Sequence, residues 1–179
     1  MPQKNKPRLY IALCSRADTS FRNEVDCDSY HWALLVGPDS GSRGEAGTRY
    51  HVRHYQGTPK MFYEEQDMDL SLAQVIHVKI AVAKVVSVTQ LQKNLRDVPL
   101  HVDDPTWTCL SWVKSAFQKL VANRKVLKGY VSGNDWPEIE ARTRRYVHEK
   151  REQRRILDNA GALHTIPTWN FWENRETSQ

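Results

Sequence analysis

Apolar and polar positions change period near the middle of the chain. Up to about residue 86 the apolar residues come in short runs rich in β-branched and aromatic side chains; beyond it they recur at helical spacing. Arg8-Leu9-Tyr10-Ile11-Ala12-Leu13-Cys14 reads as a first strand, Tyr30–Gly37 as a second and Thr48–Tyr55 as a third. Met61–Glu65 is a shorter candidate, and Gln74–Val82 has the highest β-branched content of all. Gly37–Gly47, dense in turn formers, predicts a loop that is long for a hairpin. Ser87 opens a first helix, with Leu91 and Leu95 on one face and Pro99 beyond its end. A second helix begins near Asp104 and carries Leu110, Val113, Phe117, Leu120 and Val121 on one stripe. A third opens at Asn134–Glu138, where Asp135 and Glu138 stand at capping-box spacing. From Gly161 onward no period is visible. There Trp169, Phe171 and Trp172 predict a tail that packs back on the body, with residues 1–7 and about 173–179 flexible. Strands mostly first and helices mostly second predict an α+β fold. It is a single domain over residues 1–179, with an antiparallel sheet packed against helices.

Composition narrows the class. A chain of 179 residues, 40% hydrophobic and 26% charged, suits one ordinary globular core. No apolar run reaches the roughly 20 residues of a membrane span. The first residues lack an apolar leader, and the three widely spaced cysteines do not make a disulfide framework. A reducing, cytoplasmic location follows as the expectation. The net charge of +5 invites a nucleic-acid partner, and much of it sits in Arg142–Arg155. Glutamates interrupt that run, and Glu138 with Arg142 and Glu140 with Arg144 stand one helical turn apart. A solvated helix face explains the run better than a nucleic-acid surface, and no zinc-finger, RNA-recognition or helix-turn-helix signature accompanies it.

Two segments carry candidate chemistry. In the second strand, alternation puts His31, Ala33 and Leu35 on one face and Tyr30, Trp32, Leu34 and Val36 on the other. Both faces are apolar, so the strand is central. Its histidine, taken alone, reads as a structural one whose ring nitrogens bond to backbone. Ala33 leaves room beside His31 for a helix end. In the second helix, Asp104-Pro105 fits an N-cap with proline at N1, and Thr106 or Thr108 would also cap. Under each choice Cys109 falls in or just after the first turn, where amides and the helix dipole favour a thiolate. Taken alone, Cys109 reads as a small core hydrophobe. His51, in the strand that follows and should pair, can sit beside His31 and orient its imidazole. Cys27, His31, His51 and His54 also raise the question of zinc. Cys27 and His31 are roughly 13 Å apart in an extended chain, His51 and His54 face opposite ways, and no C-x-x-C pair exists. No metal and no cofactor is expected.

The strand His31-Trp32-Ala33 ending in Gly37, a second strand histidine and a helix-opening Cys109 far downstream resemble circularly permuted papain-like enzymes. The nearest pattern is the lecithin retinol acyltransferase-like group; PPPDE peptidases and permuted NlpC-type hydrolases share the histidine-before-cysteine order. The resemblance spans about Leu9 to Leu120, with its specific part in a dozen residues. It implies a permuted papain-like fold with Cys109 as nucleophile, His31 as base and His51 as third polar residue. Thr108 stands where the acyltransferase-like group has asparagine, and Leu110-Ser111 where it has glutamate-histidine.

The expectation is a cysteine-dependent hydrolase or acyl/amide transferase acting on a small-molecule or peptide acyl substrate through a thioester. The Cys109 amide would hold the oxyanion, with Tyr30 or Trp107 candidates for a second donor. The Gly37–Gly47 loop would serve as a lid. The competing expectations are an inactive papain-like scaffold and a binder of nucleic acid or acidic partners through residues 138–155.

Overall fold

The computed structural model describes residues 6–16, 30–39, 45–54, 58, 60–72, 75–129, 131–156 and 165–177. Its strands are β1 (Arg8–Cys14), β2 (His31–Gly37), β3 (Ala46–His54), β4 (Met61–Asp69), β5 (Ile76–Val85), β6 (Leu127–Lys128), β7 (Thr168–Asn170) and β8 (Arg175–Glu176). The helices are α1 (Val88–Arg96), α2 (Cys109–Ala122) and α3 (Trp136–Glu152). All eight strands join one sheet in the order β4-β3-β2-β1-β5-β7-β8, with β6 also on β5. The sheet is antiparallel except where β7 runs parallel to β5. The α+β expectation holds, and the tail that showed no period supplies β7 and β8. Three-residue and two-residue strands are too short for an alternation to be visible in sequence.

β1, β2 and β5 are buried on both faces, as the apolar runs of β1 and β2 require of central strands, while β5 buries Lys79 among its apolar residues. Their two faces lead into separate cores. Leu9, Ile11, Leu13, Trp32, Leu34, Val36 and Tyr50 pack with Leu91 of α1, Trp112, Val113 and Phe117 of α2, and Ile139 and Tyr146 of α3. Tyr10, Ala12, Cys14, Ala33 and Leu35 pack instead with Leu70, Ile76 and Ile166. All three helices therefore lie on the Trp32 face. A helix end beside Ala33 was the expectation; the structure puts α2 on the other side, because bulky Trp32 and Leu34 offer it far more apolar area than an alanine.

Element ends depart from the sequence reading for local reasons. β4 runs on to Asp69 because β3 pairs with it along its whole length, from His54↔Met61 to Ala46↔Asp69. As the edge strand it tolerates the mostly polar residues 64–69. Gly47 belongs to β3 rather than to the loop before it. A Cβ there would stand 2.6 Å from the Val36 carbonyl and would collide with the Leu70 side chain. α2 starts at Cys109, not near Asp104. Asp104 closes a turn of its own, its carboxylate accepting from the Thr106 amide at 2.8 Å and the Thr106 hydroxyl at 2.7 Å. Asp135 does not cap α3 with its side chain. Residues Gly133–Asp135 already form a 3₁₀ turn, and the Asp135 carboxylate reaches back to the Ser132 amide at 2.6 Å. Lys79, the buried lysine of β5, meets the Glu45 carboxylate at 3.9 Å and the Tyr10 ring at 5.1 Å. Among the described residues no helix is long and apolar enough to cross a membrane.

Candidate active site

The site forms where β2 and β3 part. Their pairing stops at Leu34↔Tyr50, although β2 stays paired with β1 to its first residue and β3 with β4 to its last. Trp32, two residues past the last β2–β3 pair, donates its backbone N–H to the Cys109 sulfur at 3.5 Å. The thiol thus reaches from the helix side into the opening between the strands and takes a ladder position left without a carbonyl. Trp32 N is bonded to the carbonyl carbon of His31, so the sulfur lies one peptide unit from the histidine.

Cys109 is held there by its helix. Thr108 is the N-cap of α2, and it forms a reciprocal cap with Ser111: the Ser111 amide donates to Thr108 Oγ1 at 3.4 Å and the Thr108 amide to Ser111 Oγ at 3.2 Å. The cap engages those two amides rather than the amides of Cys109 and Leu110 at N1 and N2. These point out of the helix end, at its positive pole. Cys109 is 6% exposed, and Val113, one turn on, is fully buried, so the thiol faces inward as the apolar stripe predicts.

The histidines come from the other face. Continuing the register sets His51 opposite Ala33, which makes His31 and His51 diagonal neighbours, within reach across the opening. His31 Nε2 lies 2.7 Å from His51 Nδ1, and the two rings meet edge to face with centroids 5.0 Å apart. His51 Nε2 in turn lies 2.9 Å from the Glu64 carboxylate, directly opposite it on β4. Arg53 holds the same carboxylate at 2.9 Å.

This chain fixes where the protons sit. Burial, then Arg49 and Arg53, bring the His51 pKa down to about 3; burial, then His51 and three arginines, hold that of His31 well below the ordinary imidazole value. Both rings are neutral at pH 7. A carboxylate only accepts, so His51 Nε2 carries its proton and His51 Nδ1 is an acceptor. His31 Nε2 then carries the proton it donates to His51, and His31 Nδ1 is left with a lone pair. The result is a base whose ring is aimed by a second histidine, itself aimed by a glutamate.

A family model described as a family of unknown function, DUF6914, matches residues 6–178, almost the whole chain and every group just described. The chain belongs to this family. No curated protein and no solved structure matches it. The constellation of this DUF6914 member therefore has to be read from its own geometry.

The three residues singled out from sequence occupy one neighbourhood, although the helix carrying Cys109 and the histidine rings approach it from opposite faces of the sheet. Glu64 was missed. It lies in a strand whose polar residues gave no alternation, and only the β3–β4 register shows it opposite His51. The Trp32 amide was also missed, since a backbone group has no sequence signature. The Tyr30 ring lies against His77 and Arg151, and Trp107 sits in the helix-side core with His101 at its ring. His54 points away from His51 by strand alternation. Cys27 and the middle of the Gly37–Gly47 loop, residues 40–44, lie outside the described residues. Among the described residues no three His, Cys, Asp or Glu side chains are placed to hold a metal ion. His31 and His51 spend a nitrogen each on one another.

Proposed function

We propose that this chain is a cysteine-dependent hydrolase or acyl transferase of permuted papain-like architecture, with Cys109 as nucleophile. The observation that carries the reading is the ordered chain Glu64–His51–His31, which ends one peptide unit from a thiol at the first position of a helix. A buried structural histidine needs bonds for its nitrogens, but it does not need a second histidine and a carboxylate in series to fix its tautomer.

His31 Nδ1 takes the thiol proton as the sulfur attacks an acyl carbon, and a C–S bond forms. The Trp32 N–H steadies the sulfur's negative charge. The Cys109 amide, at the positive end of α2, receives the carbonyl oxygen as it becomes an oxyanion. The tetrahedral intermediate collapses, the bond to the leaving group breaks, and the leaving group takes the proton from His31. Water or another nucleophile then attacks the thioester and gives its proton to His31, the C–S bond breaks, and His31 returns the proton to the released sulfur. His51 and Glu64 turn the ring so that Nδ1 faces the reaction, and they stabilise the imidazolium that forms.

Several cations of the basic helix are engaged within the molecule, which favours the thiol reading over a binder of nucleic acid or acidic partners. Arg142 stacks on Trp169 at 3.9 Å, Arg144 lies over Trp32, Arg151 over Tyr30, and Lys150 and Arg155 bind Glu176. Arg145 and Arg154 stay exposed.

Alkylation by iodoacetamide at pH 6, followed cysteine by cysteine, tests the proposal. Cys109 should react at least tenfold faster than Cys14, whose thiol burial pushes up to about 11. His31→Ala should slow Cys109 by about a hundredfold, the low end of what a positioned base supplies. A Cys109 no faster than Cys14 removes the enzyme reading and leaves a scaffold.

A further inference from the structure

We propose that the acyl substrate of the Cys109 site carries an anionic oxyacid group, carboxylate or phosphate, that seats against the guanidinium of Arg49. This rests on the thiol chemistry proposed above and names the substrate class for it.

Three arginines, Arg16, Arg49 and Arg53, stand close enough to His31 for their charges to act on its ring. They are not equivalent. Arg53 is answered by Glu64, with Nε and one terminal nitrogen at 2.9 and 3.0 Å from the carboxylate. Arg16 donates to the Tyr30 carbonyl at 3.3 Å. Among the described residues Arg49 is bonded to neutral groups: the Gln66 side-chain oxygen, opposite it on β4, and the thiol of Cys14. Its Nε is buried and has no hydrogen-bond partner among the described residues. A guanidinium carries five donors in a planar fork, shaped for two oxygens of one acid group.

The position of Arg49 ties this charge to the reaction. It precedes His51 by two residues and so shares its sheet face, the face of His31. Cys14, whose thiol it binds, is directly opposite His31 across β1–β2 and is close enough to Cys109 to feel its charge. The side chains between are Ala12 and Ala33, which face each other in register. Small residues thus floor the region between the histidine pair and a guanidinium that no carboxylate among the described residues neutralises. Leaving such a charge partly buried costs free energy, and an anionic group bound beside it recovers that cost. Burial holds the His31 and His51 imidazoles below their ordinary pKa, and this charge adds to it, which favours the neutral state the base requires.

The test uses two alkylating agents that differ in charge, iodoacetate and iodoacetamide, on the full chain at pH 7 and low salt. Modification of Cys109 is read by mass spectrometry as the ratio of the two rates. The urea-unfolded chain gives the intrinsic ratio. In the folded protein the iodoacetate-to-iodoacetamide ratio should exceed it by about tenfold, the effect of one poorly screened charge at close range, and 0.5 M salt should shrink the excess. Arg49→Gln should return the ratio to the unfolded value, while Arg49→Lys keeps most of the excess. Gln66→Glu offers an independent route, since it sets a carboxylate on Arg49 without removing it, and it too should abolish the preference. A folded wild-type ratio equal to the unfolded one overturns the inference, as does an excess that survives both Arg49→Gln and Gln66→Glu. If Cys109 reacts with neither reagent faster than in the unfolded chain, the thiol reading itself fails and takes this inference with it.

Discussion

His51 is 2% exposed and keeps both nitrogens in hydrogen bonds, and its pKa of about 3 has a thermodynamic consequence. Between about pH 3 and the ordinary imidazole value near 6.5 the unfolded chain holds a proton on this residue that the folded chain does not. The unfolded state therefore binds more protons, and stability rises with pH across that window and is lost as pH falls through it. The slope is about 1.4 kcal/mol per pH unit for each such histidine, and His31, shifted the same way, adds to it. Urea unfolding at several pH values checks this. The stability difference between the wild type and His51→Gln should narrow steadily on acidification below pH 6.5; a difference independent of pH contradicts the neutral, buried assignment. Glu64→Gln, which turns the acceptor into a group that can also donate, should slow Cys109 alkylation by about tenfold while leaving His31 in place. That outcome would mark Glu64 as a positioning residue.

At the scale of elements, the thiol's place depends on a cap and on a gap. Thr108 and Ser111 tie the first turn of α2 together, so Thr108→Ala should cost about 1 kcal/mol in denaturant unfolding and Thr108→Asn much less. The gap is the early end of the β2–β3 ladder. Sequence pattern predicts two paired strands here but says nothing about where pairing stops, because the apolar alternation of β2 continues unbroken through Trp32 and Ala33. What ends the ladder is the insertion of Cys109 from a helix that lies 77 residues away in sequence from Trp32. The start of α2 was likewise blurred: Asp104, Thr106 and Thr108 are all good caps, and only the turn that Asp104 makes with Thr106 leaves the helix to Thr108.

At the scale of the molecule, the C-terminal segment locks α3 to the sheet. β7 joins β5, its Trp169 receives Arg142 and the Tyr146 ring, and Glu176 on β8 binds the nearly buried Lys150 and Arg155, each at 2.7 Å. Burial pushes the Glu176 carboxyl up, but hydrogen bonds from Lys150 and Tyr146 and both cations outweigh it and hold the pKa low. Glu176→Gln leaves the Lys150 ammonium buried without its counter-charge. It should destabilise the fold by about 2 kcal/mol, less than a fully buried pair because Glu176 remains partly exposed. Lys150→Met combined with Glu176→Leu should recover most of the loss. If the single variant unfolds like the wild type, α3 is held by its apolar stripe alone.

The sequence by itself determined what local physics can write. Apolar residues on both faces made β2 a central strand, β-branched content made β5 the clearest strand, helical spacing made α1 and α2 amphipathic, and a cysteine at a helix start beside two strand histidines marked the chemistry. Those signals depend on neighbours within a turn or two of chain. Only the tertiary structure decided which face the helices cover, that the β2–β3 ladder opens for the thiol, that Glu64 completes the histidine chain, and that the tail closes the sheet. Each of these is set by side chains meeting across strands or between a helix and a sheet. Alternation and spacing are the same whichever partner a face finds. The partner is chosen by the apolar area and hydrogen bonds that the whole fold can satisfy at once.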